Sequence, residues 1–209
     1  MCGRYSLTSR LDALLPRLRG PLPEGLQRHY APRALIRPGE PLLIQRLEQA
    51  QPVVDLALWG LLPAWVRDPG AALRPINARS ETVAEKPSFR GAWRHRRCLI
   101  PADGFFEQGC RIARRDGAPF WLGGVWERWL GAEGEQLDSA CVLTTRPNVL
   151  IAPIHSRMPV VIPEDCAERW LAAAGGAALQ ALQPLLEPWD ATGWQRQPLD
   201  QLQLALPVP

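Results

Sequence analysis

Four residue types that can form bonds or move protons stand far apart in this chain, at Cys2, Asn77, Glu107 and His155. Cys2 lies directly behind the initiating methionine, in MCGRY. Removal of Met1 would leave a free α-amine and a thiol on adjacent carbons. That 1,2-aminothiol does chemistry that no internal cysteine can do. Glu107 follows two phenylalanines in ADGFFE, where burial would raise its pKa and make it a usable proton donor near neutrality. His155 sits in IAPIHSRMP and Asn77 in RPINARSET, each among apolar residues and prolines. A nucleophile, a carboxylate, an imidazole and a carboxamide are the parts an active site needs. Taken singly, each also fits an ordinary core or strand-face residue.

The elements that would bring them together are mostly short strands. PLLIQRL (41–47) and VVDLALW (53–59) read as two strands joined by the polar EQAQ. RCLIP (97–101), GFFEQ (104–108), SACVLTT (139–145) and MPVVI (158–162) read as further strands. Asp116-Gly117 predicts a hairpin between strands near 110–115 and 119–126. Helices are predicted from Ser9 to about Leu15, capped by Thr8 or Ser9 and ended by Pro16, and over 80–96, with Ser80 as N-cap and Pro87 opening a second piece. Pro163 opens another, and 176–186 is a fourth. There is no βαβ alternation and no glycine-rich phosphate loop. The pattern is α+β, built on antiparallel pairings.

With 209 residues the chain is long enough for one domain with a substantial core. No apolar run reaches the length of a membrane span or a signal peptide, so a cytoplasmic location is expected. The five cysteines (2, 98, 110, 141 and 166) form no CxxC pair, which argues against a disulfide framework or a zinc site. A net charge of +3 falls short of a nucleic-acid signature by itself. Its make-up is more telling: Lys86 is the one lysine among 24 basic residues. Arginine suits bidentate phosphate contacts and stacking on bases, although a GC-rich genome gives the same bias. The densest basic cluster is Arg90, Arg94, His95, Arg96 and Arg97. Nine tryptophans supply large contact area for cores or binding surfaces.

MCGRY, WGLLPAW (59–65), INARSET (76–82), FRGAW followed by RRCLIPADGFFE (89–107), and IHSRMPVVI (154–162) together resemble the SRAP family. The blocks occur in the family's order, with MCG at the start. The resemblance implies one compact SRAP-type domain over 1–209, with a twisted, mostly antiparallel sheet core, peripheral helices and a positively charged cleft. It implies covalent capture of abasic sites in single-stranded DNA, with an associated autopeptidase activity linked to loss of Met1. The Cys2 α-amine would form a Schiff base with the lesion aldehyde, and its thiol would close a thiazolidine. Glu107 would shuttle protons, His155 would assist opening of the deoxyribose ring, and Asn77 would position the N-terminal residue. Arg4, Arg79 and Arg157 would grip phosphates, Trp65 would meet a base, and Thr144 would touch the DNA backbone. No cofactor or metal is implied. A monomer, working beside the replication machinery, is the expected assembly.

The chain departs from the family in three places. QRHYAPRAL (27–35) lacks the family asparagine before Ala31-Pro32, Gln108 replaces a tryptophan, and WQRQPLDQLQLALPVP (194–209) lacks an asparagine-containing strand. Two alternatives remain open at this point. One is a glutamine amidotransferase-like hydrolase using an N-terminal cysteine, which also begins Met-Cys-Gly. The other is non-covalent binding of single-stranded DNA with Cys2 incidental.

Overall fold

Apolar residues dominate PLLIQRLE and QPVVDLALW, and the two segments pair as one long antiparallel hairpin from Pro41↔Leu58 to Glu48↔Gln51. The computed structural model describes residues 2–200. In chain order the elements begin with β1 (Tyr5–Leu7), α1 (Leu11–Leu14), α2 (Glu24–His29), β2 (Arg33–Ile36), β3 (Pro41–Glu48), β4 (Gln51–Trp59) and β5 (Asn77–Arg79). Then come α3 (Pro87–His95), β6 (Arg97–Ala102), β7 (Gly104–Glu107), β8 (Cys110–Arg114), β9 (Phe120–Leu130) and β10 (Gln136–Thr145). The described chain closes with β11 (Met158–Pro159), β12 (Val161–Ile162), α4 (Ala167–Ala172), α5 (Gly176–Gln180) and β13 (Trp194–Pro198). Residues 201–209, most of the C-terminal departure noted above, lie outside the described residues.

The strands form two sheets, mostly antiparallel, as an α+β fold requires. The smaller has the order β13-β8-β7-β1-β2. In the larger, the path β10-β4-β3-β6-β9 returns to β10 through a β9–β10 pairing, so five strands close on themselves. Closure removes free edges from those strands. It also demands close approach: a Cβ at Gly124 in β9 would lie 2.9 Å from Cys98 Sγ and 3.0 Å from the Cys141 carbonyl oxygen. β10 is the hub, since it also pairs in parallel with β4 and with the three-residue β5, and antiparallel with β11. One apolar core spans both sheets: Tyr5, Phe105 and Ile112 of the smaller pack with Leu42, Trp59 and Val142 of the larger. No helix among the described residues is long and apolar enough to cross a membrane.

Several sequence expectations shift. Asp116-Gly117 is a turn, but β8 pairs with β7 and β13 while β9 pairs with β6, β10 and β12. The turn therefore carries the chain from one sheet to the other rather than closing a hairpin. Residues 80–86 form turns, and only Pro87–His95 is helix. Ser80 does not cap a helix; its N–H donates to the Thr144 carbonyl at 2.9 Å and ties the turn to β10. The first helix is shorter than expected, and its N-cap is Arg10 with no side-chain cap. Thr8 and Ser9 instead turn their hydroxyls to Asp103. MPVVI divides into β11 and β12, which pair with β10 and β9 respectively.

Candidate active site

Cys2 precedes β1, whose residues Tyr5 and Ser6 pair with Phe105 and Gly104 of β7. β7 ends at Glu107 and turns back through Gln108 (φ 45°) and Gly109 (φ 72°) into β8. Two successive left-handed residues are what a tight two-residue hairpin needs. Gln108 thus occupies the turn itself and is exposed, which accounts for its tolerance of a polar side chain. β5 brings Asn77 alongside Val142 of β10. His155 sits in the loop between β10 and β11, where its N–H donates to the carbonyl of the buried Ile151 at 2.9 Å.

These four residues, far apart in sequence, form one cluster where the two sheets meet. Asn77 Nδ2 donates to the Cys2 carbonyl oxygen at 3.0 Å. His155 Nε2 lies 3.9 Å from Glu107 Oε1. Cys2 is only 1% exposed, and its Sγ makes a long 3.9 Å contact to the Arg4 carbonyl oxygen. Burial, and then the neighbouring charge of Glu107, push the Cys2 thiol up to about 12. The thiol is therefore protonated at neutral pH, and a nucleophilic sulfur requires a base at hand. Met1, whose removal the sequence leads one to expect, lies outside the described residues.

Asp103 has no counterpart among the residues expected from sequence. It is 5% exposed and sits at the corner between β6 and β7. Its carboxylate accepts from Ser6 Oγ (2.8 Å), Thr8 Oγ1 (2.9 Å), Ser9 N (2.8 Å) and Ser9 Oγ (3.1 Å), and from the Thr8 N–H. This one side chain anchors the segment that carries Cys2. An acidic residue in the middle of the apolar run CLIPADGFF is the signal that could have found it.

The expected DNA-contacting residues divide. Arg4 and Arg79 are exposed. Trp65 is 66% exposed and lines an open groove of about 620 Å³ with Arg67, Ala71 and Leu73. Thr144 is a correction: it is fully buried, with its hydroxyl 3.4 Å from the Ala78 carbonyl oxygen, so it offers no surface to a DNA backbone. Arg157 is held by its neighbours in this structure. Both of its terminal nitrogens are engaged by Glu81, at 2.6 and 2.8 Å, and Nη2 also donates to the Thr144 carbonyl at 2.6 Å. Among the described residues no cluster of three His, Cys, Asp or Glu side chains could hold a metal ion.

The cysteines differ enough in burial to be told apart chemically. Cys2, Cys98 and Cys141 are buried, whereas Cys110 and Cys166 are partly exposed. A maleimide at pH 7.5 is expected to modify Cys110 and Cys166 in the native protein while the other three stay unmodified, as read by peptide mass spectrometry. Early modification of Cys2 would show that its pocket opens readily.

The family model for SOS response associated peptidase (SRAP) matches residues 1–202. Abasic site processing protein YoqW of Bacillus subtilis (strain 168) is 35% identical over 202 residues, covering 91% of this chain and 88% of that protein. Abasic site processing protein YedK of Escherichia coli (strain K12) is 27% identical, covering 82% of this chain and 79% of its own. Among solved structures, a Bacteroides thetaiotaomicron protein superposes with a TM-score of 0.81 at 27% identity, over 93% of this chain and 90% of the other.

Proposed function

This chain belongs to the SRAP family, and on that premise we propose that it processes abasic sites in single-stranded DNA by forming a thiazolidine crosslink through Cys2. The observation that carries the reading is the cluster itself. A buried thiol next to the chain's start has its carbonyl held by Asn77 and feels the charge of Glu107, which in turn faces His155. Relatives named abasic site processing proteins supply the substrate class.

The chemistry then balances without a cofactor. Loss of Met1 frees the Cys2 α-amine, whose reference pKa near 8 leaves a usable unprotonated fraction at neutrality. The amine adds to the aldehyde of a ring-opened abasic site, and loss of one water gives a Schiff base. The Cys2 sulfur then attacks the imine carbon. Glu107 takes the thiol proton and returns it to the former imine nitrogen, which becomes the ring N–H. His155, beside Glu107, passes protons during opening of the deoxyribose. Glutamine hydrolysis is disfavoured as the alternative, because the Glu107–His155 pair and the exposed arginines and tryptophan have no use in it.

On this reading DNA lies across the face bearing Arg4, Arg79 and Trp65, and the whole chain, 1–209, works as one monomeric unit. A base resting on Trp65 contributes about 1–3 kcal/mol and does so for any sequence. Trp65→Ala is therefore expected to weaken binding to abasic single strands by about tenfold or more with little effect on thermal stability, since the indole is exposed. Fluorescence anisotropy at fixed salt measures it.

A denaturing gel tests the function. Protein with Met1 removal confirmed by intact mass is incubated with single-stranded DNA carrying one abasic site. The expected result is a denaturation-resistant band that requires the lesion and has the mass of protein plus DNA minus one water. No band from the mature protein would sink the proposal, and ammonia release from glutamine would replace it with the amidotransferase reading.

A further inference from the structure

The basic cluster of the sequence, Arg90, Arg94, His95, Arg96 and Arg97, is split by the fold. Arg97 is 3% exposed and turns inward. Its guanidinium donates to the carbonyls of Trp93 (2.6 Å) and Arg94 (3.3 Å) at the end of α3, and to those of Trp170 (2.7 Å), Leu171 (3.4 Å) and Ala173 at the end of α4. It caps two helix ends. Arg96 folds back onto Glu127, with Nε 2.7 Å from Oε1 and Nη2 2.8 Å from Oε2. Arg90, Arg94 and His95 stay exposed, and Lys86, the N-cap residue of α3, is exposed with them. None of these exposed side chains has a hydrogen-bond or ion-pair partner among the described residues.

The apolar side of α3 fixes which way this surface looks. Phe89, Ala92 and Trp93 are buried, and the Trp93 ring meets that of Trp170 in α4 edge to face at 5.7 Å. Lys86, Arg90 and Arg94 therefore follow one another at four-residue spacing along the solvent side. The stripe spans about 12 Å along the helix axis. α3 itself, PSFRGAWRH, contains no acidic residue. Cations in the last turn complement the helix dipole, which accounts for Arg94 and His95. Lys86 and Arg90 stand at the first turn, where the same dipole opposes a positive charge. Nothing inside the chain offsets their charge. Ser88, between them, lines the same open groove of about 620 Å³ as Trp65, Arg67 and Leu73. The stripe thus continues the surface on which Trp65 stands.

We propose that the exposed stripe of Lys86, Arg90 and Arg94 is a second phosphate-binding track, which takes the single strand running on beyond Trp65. The proposal rests on the reading that single-stranded DNA is the substrate. Unpaired arginines offer both ends of the guanidinium fork to a phosphate, and such contacts carry no sequence preference. An acidic protein segment is the competing partner for such a stripe. Continuity with the Trp65 groove favours the nucleic acid, because an aromatic surface for bases and a basic track for the backbone are the two parts that a single-strand channel combines. The track adds affinity for strands that extend past the lesion and takes no part in the bond-forming steps.

The test measures binding of the full chain as a function of salt, by fluorescence anisotropy. The probes are single strands with a central tetrahydrofuran analogue of the abasic site, which has no aldehyde to react. One strand is about five nucleotides long and the other about fifteen. Wild type is compared with the double variants Arg90→Gln/Arg94→Gln and Arg90→Lys/Arg94→Lys. Each phosphate contact contributes about 0.7 to the slope of log affinity against log salt on a single strand. On the long strand the glutamine variant is expected to lose about 1.4 of the wild-type slope, one contact for each arginine. The lysine variant keeps the charges and should match wild type. On the short strand, which ends before α3, all three proteins should agree. Both side chains are exposed, so Tm should stay within about 2 °C of wild type. An unchanged long-strand slope in the glutamine variant would overturn the proposal and leave an acidic protein as the stripe's partner. An equal loss on both strands would also overturn it, by placing these arginines at the lesion. A wild type that binds neither strand would overturn the proposal together with the DNA reading. A wild type that binds both, yet leaves a true abasic strand uncrosslinked, would overturn the crosslinking reading alone.

Discussion

Cys2→Ala and Cys2→Ser are both expected to lose the denaturation-resistant band entirely while still binding single-stranded DNA. Cys2 is only 1% exposed, so its side chain offers little contact area for non-covalent association. The two variants retain the α-amine once Met1 is gone. Each should therefore still form the Schiff base, and cyanoborohydride should trap it as a stable secondary amine. Wild type should need no reductant, because sulfur closes the ring. Serine cannot substitute, since its oxygen gives a less favourable oxazolidine. The thiol is held protonated by burial and by the charge of Glu107, so closure depends on a base removing that proton. Glu107→Gln is accordingly expected to slow ring closure by about 10²–10⁴-fold, the range for a lost general base. The reductant-trapped Schiff base should still form in this variant. Equal loss of both adducts would instead place Glu107 in the amine step.

Asp103→Ala is expected to cost about 3 kcal/mol of stability, because each hydrogen bond to a charged group contributes about 1.5–3 kcal/mol and water replaces part of the loss at the more exposed Thr8 and Ser9. At this chain length that lowers Tm by about 6–12 °C. Crosslinking should fall further than stability explains at temperatures where the variant is still folded, since the segment from Ser6 to Ser9 loses its anchor and Cys2 with it. Asp103→Asn should recover part of the stability through its one remaining carbonyl oxygen. Differential scanning calorimetry and the gel assay at about 20 °C separate the two effects. A Tm within about 2 °C of wild type would show that water satisfies the segment equally well.

Much of this arrangement is legible in the order of the amino acids alone. The hairpin of β3 and β4 follows from two apolar runs around EQAQ, and the turn falls at Gln49-Ala50, both at positive φ. The candidate chemical residues are also visible, since Asn77, Glu107 and His155 each stand out against apolar neighbours and Cys2 directly follows Met1. Pairing between distant segments is not visible. Asp116-Gly117 has the chemistry of a hairpin turn, yet which sheet each flanking strand joins is decided by contacts with β6, β7 and β13. Thr8 and Ser9 have the chemistry of helix caps, yet a buried carboxylate 94 or 95 residues away competes for them and wins. Glu81 is hidden for a related reason. An exposed acidic residue in a polar turn carries no local sign that an arginine 76 positions on has been brought to it.

The meeting of two sheets at the site has a further meaning. Cys2 and Glu107 belong to the smaller sheet's side, whereas Asn77 and His155 are carried by β5 and by the loop leaving β10 of the larger. On the proposed chemistry neither sheet alone holds a working set, so reactivity would operate as a logical AND over their docking. Mild denaturant that loosens the short strands should silence the chemistry while the closed ring still protects its amides from hydrogen exchange, and the protein's own reaction becomes a gauge of that local opening.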